Sequence, residues 1–405
     1  MALWQLPLAR PHRIAARAGE HVFVGGCGDF DARGITQHPG DVDGQIAGTM
    51  ANLAAALATE GCGLADVIRL KAFYSSDGSV DEWRIIAGLS NAIEADPAPA
   101  ITTNAVPLQP WPGQLLQLQA IARKGWRTDA QTRAVTEAVP GASRKLFTVP
   151  KITAGLRAGE FVAVPGRTAA AEPGEVPADR VAQTTVVMQR IGRVLAGLGA
   201  GFQDAIKMEG YYFGSTWDQW RPLAEARAAH FKEPGPVATV VPCHALWPSG
   251  THTKVEVMGL RDHWNGFDKY IPREDRWPKR VWDWPIPLPY RQGIRLRNMI
   301  WTGGQVPLQP DSNSGAAVFA GELIPQTLFT MQLIEEILRA FAALPSDLAL
   351  LVCYFTADGS EAVNRSVAEI VAACCGGILP PITLVPQPSM HTADMTVEIW
   401  GVARG

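Results

Sequence analysis

The chain repeats itself three times. "GDVDGQIAGTMANLAAALATEGCGLADVIRLKAFY" from Gly40 corresponds to "GEVPADRVAQTTVVMQRIGRVLAGLGAGFQDAIKMEGYYF" from Gly174, and both to "AGELIPQTLFTMQLIEEILRAFAALPSDLALLVCYF" from Ala320. Each copy has a Gln (Gln45, Gln183, Gln326) opening an amphipathic stretch, then a Gly or Pro break. An Asp (Asp66, Asp204, Asp347) follows, just before a β-like run. The Gln-to-Gln spacings are 138 and 143 residues (45 to 183, 183 to 326). That is the size of a domain and far above the period of a solenoid. Three similar domains in a row are therefore the first constraint on any fold.

Within a copy the periodicities are clear. Ile46, Met50, Leu53, Ala54 and Leu57 recur at helical spacing, as do Val187, Ile191, Val194 and Leu198, and Ile334, Ile337, Leu338 and Phe341. One apolar stripe per helix predicts that each helix lies on a sheet. A second helical segment follows the β run in each copy: "VDEWRIIAGLSNAI", "WDQWRPLAEARAAHF", "SEAVNRSVAEIVAACC". Each copy closes with two β-like segments, so the expected order is β-β-α-β-α-β-β. The class is α+β, a mixed sheet with two helices on one face. The expected domains are 1–125, 141–260 and 286–405. A short polar linker (126–140) and a charged linker (261–285) separate them. The second linker holds Trp264, Trp277, Trp282 and Trp284, and exposed indoles are unfavourable, so it is expected to wrap across the body.

Charge narrows the partners. Lys+Arg 36 against Asp+Glu 39 gives a net charge of −3, too balanced for an electrostatic nucleic-acid or membrane-surface binder. No uninterrupted apolar run has the length of a membrane span. The first residues show no secretory leader. Cys27, Cys62, Cys243, Cys353, Cys374 and Cys375 form neither a CxxC pair nor a zinc spacing, which predicts reduced, mostly buried thiols and a cytoplasmic location. Asp29, Asp31, Asp41, Asp43 and His38 crowd one loop, but their spacing fits no EF-hand, and no metal or other cofactor is expected.

The order of elements and the strings "PYRQGIRLRNMIWTGGQVPLQP", "GEVPAD" with Gln183, "PAI" and "PPI" resemble the RidA/YjgF family. The resemblance covers nearly the whole chain. It implies three tandem RidA-like (chorismate-mutase-like) domains arranged as a pseudo-threefold barrel. A single chain would then already be the trimer-like body, with a higher oligomer still open. It further implies that the turn after each second strand borders a cleft between neighbouring domains. The corresponding pairs are Gly25-Gly26, Pro165-Gly166 and Gly303-Gly304. Bare backbone there would let N–H groups approach a substrate carboxylate or carbonyl. Read without the resemblance, each pair is simply a tight turn.

The activity the resemblance implies is hydrolysis of reactive enamines and imines to ketone and ammonia. The arginine of a Pro-Ala-Arg strand would hold the substrate carboxylate, and an acid on the last strand would place water. Here the arginine positions are Ile101, Ala238 and Ile382, and the acid positions are Gln119, Met258 and Trp400. Two residues earlier, on the same strand face, stand Gln117, Glu256 and Glu398. Period-two alternation places His252, Lys254 and Glu256 on one face, a possible acid–base set in which Glu256 places water and Lys254 holds an anion. The same three also read as solvated charges on an edge strand. Arg167 with Gly166 could replace the missing cation. Tyr290 and Asn364 match family site positions in the third copy alone, where they accompany Gly303, Gly304 and Glu398.

These readings predict a diverged RidA-like enzyme. Its reaction would be hydrolytic deamination or C–N cleavage of a small carboxylated or carbonyl metabolite. A non-catalytic metabolite binder, and a lyase, hydrolase or tautomerase acting on a cyclic acid, stand as alternatives.

Overall fold

The computed structural model of the protein describes residues 3–76, 80–171, 176–261, 280–281, 286–310, 312 and 315–405. The expectation for the four tryptophans of 261–285 therefore lies outside the described residues.

The first unit runs β1 (Ala15–Ala18), β2 (His21–Cys27), α1 (Val42–Ala58), β3 (Val67–Ser75), α2 (Glu82–Ile93), β4 (Ala100–Val106) and β5 (Leu116–Arg123). A strand β6 (Arg133–Ala138) follows. The second unit is β7 (Lys151–Ala158), β8 (Phe161–Arg167), α3 (Arg180–Gly197), β9 (Ala205–Phe213), α4 (Trp217–Ala228), β10 (Val237–Cys243) and β11 (Thr253–Leu260). The third is β12 (Gly293–Leu296), β13 (Met299–Thr302), α5 (Leu323–Ala340), β14 (Leu348–Thr356), α6 (Glu361–Cys374), β15 (Ile382–Gln387) and β16 (Val397–Arg404).

The sheet orders are β1-β2-β5-β3-β4, β6-β7-β8-β11-β9-β10 and β12-β13-β16-β14-β15. In each, the last-named pair is parallel and is joined by a helix. The stretch 126–140 is not a bare linker, because β6 pairs antiparallel with β7 and widens the second sheet. The ladders remain three separate sheets among the described residues, not one closed barrel.

The repeated residues turn out to be staples. Gln45 donates to the carbonyls of His38 and Gly113 and accepts from Leu115 N. Gln183 likewise ties Pro177 and Gly250 to His252 N, and Gln326 ties Val318 and Asp394 to Thr396 N. Each glutamine is buried and fastens the start of a long helix to the loop before the last strand. The repeated aspartates accept an N–H three residues back, from Gly63, Gly201 and Leu344 at 2.9, 2.8 and 3.0 Å. They thereby fix the turn that launches the central strand.

The helices cover one face of each sheet. The opposite faces meet in a common core holding Phe23, Phe73, Phe161, Tyr211, Trp301, Tyr354 and Trp400. The centre of this core is charged. Arg69 and Lys71 of β3 meet Glu209 of β9 and Glu256 of β11 at 2.5–3.5 Å, all four within 1% of full burial. At the matching positions β14 supplies Leu350 and Val352, so the third unit adds no charge from that strand.

Around this core each unit leans on the next. The edge strand β4 faces β8, β10 faces β13, and β15 faces β2. Three clefts result, here named 1–2, 2–3 and 3–1 after the units that form them.

Candidate functional site

The 2–3 cleft is built from α4, β10 and the third unit. Helix α4 starts where Thr216 accepts the N–H of Gln219. Its buried positions are Trp220, Leu223, Ala224 and Arg227, a regular apolar stripe whose last member is an arginine. Arg227 is 0% exposed, and among the described residues none of its three guanidinium nitrogens meets a partner at full hydrogen-bond geometry, the Tyr290 hydroxyl lying beside it. Burial lowers its pKa, with the Tyr290 and Tyr212 hydroxyls beside it working the other way. Among the described residues no carboxylate neutralises it, although a buried cation is strongly unfavourable alone. It lies on the wall of a cavity shared with Trp217, Trp220, Tyr290, Val306, His391 and Glu398. The empty space there, its mouth included, is ≈ 380 Å³.

Opposite Arg227 runs a chain of polar side chains. The Tyr212 hydroxyl meets His391 Nδ1 at 2.9 Å, and His391 Nε2 meets Glu398 Oε2 at 3.1 Å. Burial first, then the nearby Glu398 charge, raise the Tyr212 pKa, so its hydroxyl stays protonated. With Tyr212 as the donor to Nδ1, the imidazole donates from Nε2–H to Glu398. Trp217 stacks flat on the His391 ring, 4.8 Å away and 1° from parallel, and holds its plane. The second carboxylate oxygen, Oε1, lies against Gly304, where any side chain would collide with it and would press on the Thr239 hydroxyl. The glycine is there to admit the protein's own carboxylate. The N–H groups of Gly303 and Gly304 donate to the carbonyls of Gln292 and Ala238, both at 2.8 Å. They are engaged within the protein and offer no oxyanion hole.

The 1–2 cleft receives Lys254, Gly166 and Arg167. Lys254 Nζ donates to Glu82 Oε1 at 2.8 Å and to the Thr103 carbonyl at 2.7 Å. Gly166 N donates to Thr102 Oγ1 at 2.8 Å. Arg167 pairs with Glu137 at 3.0 Å.

The expected set His252, Lys254 and Glu256 is not assembled. Glu256 turns to the central core, where Arg69 holds Oε2 at 2.7 Å and Lys71 holds Oε1 at 2.5 Å. Burial alone would raise its pKa, but those two cations bring it down to about 2. A carboxylate so firmly paired is a poor base. The His252 ring packs beside Phe213, 6.2 Å between centroids. Strand alternation correctly gives the face but not which partner that face meets.

Tyr290, Gly304 and Glu398 do come together, in the 2–3 cleft, whereas Asn364 lies in the 3–1 cleft. There its Nδ2 donates to the Pro110 carbonyl at 2.6 Å. Gln117, at the position of Glu398, donates to the Leu384 carbonyl at 2.8 Å. Gly26, at φ 57°, donates its N–H to Thr383 Oγ1 at 3.1 Å. In this cleft the chain is its own occupant.

Arg227, His391 and Tyr212 escaped the sequence reading. Arg227 left one signal. The stripe spacing of α4 equals that of Asn364, Val367, Ala368 and Val371 in α6, yet it ends on a cation where α6 has a valine.

Residues 148–260 match the family model described as Endoribonuclease L-PSP. Among curated proteins none matches the chain. Among solved structures, a chorismatase is similar in fold, with a TM-score of 0.51 and 14% identity over 84% of this chain and 93% of that one. A YjgF-family protein from Mycobacterium tuberculosis matches at 24% identity, covering 32% of this chain and 98% of its own, with a TM-score of 0.26. TdcF from E. coli, solved with bound serine, matches at 20% identity, covering 34% and 98%, with a TM-score of 0.28. Among the described residues no helix is long and apolar enough to cross a membrane.

Proposed function

We propose that this chain, three RidA-like units in tandem, is a diverged enzyme that hydrolyses a small unsaturated carboxylate, imine or enamine in kind, in the 2–3 cleft. The observation that carries the reading is Arg227, a buried guanidinium on a cavity wall with no acid among the described residues to neutralise it. A ligand carboxylate supplies the missing charge, and a guanidinium grips it through two parallel hydrogen bonds. The family's arginine position in this cleft is Ala238. Arg227 would deliver the same charge from a helix in place of a strand.

Glu398 Oε1 is then the base. It takes a proton from water as the water oxygen bonds to the imine carbon. The nitrogen gains protons and leaves as ammonia, and a ketone remains. His391 steadies Glu398 through Oε2, and Tyr212 holds His391 in the tautomer this requires. Trp217 and Trp220 wall the site with apolar surface, which strengthens each charged contact inside it.

A second reading, cleavage of a cyclic acid, is favoured by the fold match to a chorismatase over most of the chain. The same carboxylate holder and base would serve it.

The test is turnover with imines generated in situ from amino acids and with chorismate, reading ammonia and ketoacid release. Product formation that is lost in Glu398→Gln, and whose KM rises in Arg227→Met, supports the reading. Ammonia separates the first reaction class from the second. Carboxylate binding with no product from either class would make the chain a binder instead of an enzyme.

A further inference from the structure

The 1–2 cleft carries different chemistry, which the 2–3 reading leaves unused. Its empty space, mouth included, is ≈ 720 Å³. Its walls are apolar: Trp83, Ile86, Ile101, Ile152 and Trp247. Trp83 and Trp247 stand edge to face, 5.9 Å apart and at 90°. Set into these walls is one ion pair, Lys254 with Glu82, each side chain 6% exposed.

That pair is saturated on the inside only. An ammonium has three donors. Two of those of Lys254 go to Glu82 Oε1 and the Thr103 carbonyl. Glu82 Oε1 also accepts the Thr103 hydroxyl. One N–H of Lys254 and the second oxygen of Glu82, Oε2, have no partner among the described residues. A buried pair of this sort is seldom worth more to stability than apolar side chains of equal volume. Its place on a cavity wall therefore asks for a ligand that uses both leftover valences.

We infer that the 1–2 cleft is a second, separate binding site, and that its ligand is an α-amino acid with an apolar side chain. The ligand carboxylate accepts from Lys254, its ammonium donates to Glu82 Oε2, and its side chain lies against Trp83 and Trp247. A single-charge ligand uses one of the two leftover valences and leaves the other empty. The zwitterion completes a four-charge ring. Arg167 also lines the cleft, 7% exposed, but is already held by Glu137.

The test is calorimetric titration of the full chain with L-leucine, with 4-methylpentanoate (the carboxylate alone) and with 3-methylbutylamine (the amine alone). Leucine should bind about tenfold or more tighter than either. Lys254→Met and Glu82→Gln should each weaken leucine at least tenfold, while Arg227→Met leaves it unchanged. Because Lys254 and Glu82 are buried, Trp247→Ala at the cleft mouth is the folding-safe variant. It should weaken leucine and leave glycine as it was. Equal affinity for leucine and 4-methylpentanoate would overturn the proposal in favour of a simple anion site. Leucine binding untouched by Lys254→Met, or none at millimolar concentration, would overturn it as well. The Arg227 arm keeps this result separate from the fate of the 2–3 reading.

Discussion

The 2–3 and 3–1 clefts share one plan and differ in what completes it. In both, a glycine of one unit lies against the edge strand of the next, and a threonine (Thr239 or Thr383) stands beside it. In both, a helix stripe with the same spacing looks inward. The 3–1 stripe begins with Asn364, whose Nδ2 bonds to Pro110, and Gln117 bonds to the edge strand, so both side chains tie the two units together. The 2–3 stripe ends with Arg227, which no acid among the described residues neutralises. Identical subunits would have to make identical clefts. Fusing the units into one chain lets one cleft become a joint while another keeps an unmet charge for a ligand.

The sharpest way to break the comparison is to remove the groups that differ. Glu398→Gln should lower turnover by roughly 10²–10⁴-fold with little change in KM, measured in steady state. Gln117→Glu, which writes the same acid into the 3–1 cleft, should create no activity. Equal losses from substitutions in both clefts would mean that neither is specialised.

The next largest effect is expected at the centre, which neither cleft uses. Glu256→Gln leaves Arg69 and Lys71 with one carboxylate, Glu209, between them and should cost about 3–5 kcal/mol in urea unfolding at pH 7. The sign with pH follows from the pKa, lowered to about 2 in the folded protein. The stabilisation is complete above the ordinary carboxylate value and is lost as pH falls from there through about 2. The Gln variant should lack that acid-limb dependence. A wild-type acid limb no steeper than that of the variant would remove Glu256 from the account.

Arg227→Met should act in opposite directions on binding and on stability. Carboxylate affinity should fall tenfold or more, while the ligand-free protein gains about 1–3 kcal/mol, because an unpaired buried cation is gone. A thermal melt with and without ligand reads both. Destabilisation on this change would show that Arg227 serves the fold, as Asn364 does. The smallest effect belongs to Asn364→Ala, a loss of about 1 kcal/mol with turnover unchanged.

Much of the architecture was legible because periodicity and repetition are local. The stripe Val187, Ile191, Val194 and Leu198 appears buried on α3, as its spacing requires. The repeated Gln and Asp residues marked the units before their hydrogen bonds were known. The site was legible in parts. Of the residues singled out in the sequence, Gly304, Tyr290 and Glu398 lie together in the 2–3 cleft and Lys254, Gly166 and Arg167 in the 1–2 cleft, but alternation along one strand joined Lys254 to Glu256. On β11 these two side chains serve different neighbours: Lys254 reaches Glu82 of α2, and Glu256 reaches Arg69 of β3.

By itself the sequence determined three α+β units, their order of elements, their apolar stripes and the glycine turns between them. These follow from spacing along the chain, which local backbone geometry enforces. The tertiary structure alone decided which carboxylate is neutralised and which cation is not. Lys254 and Glu398 hold the same register on equivalent strands, opposite Tyr211 and Tyr354, yet one meets Glu82 and the other meets His391. Whether a charge is spent or free depends on what lies across a gap of about 3 Å, and spacing along one strand does not say which segment, near or far in sequence, fills that gap.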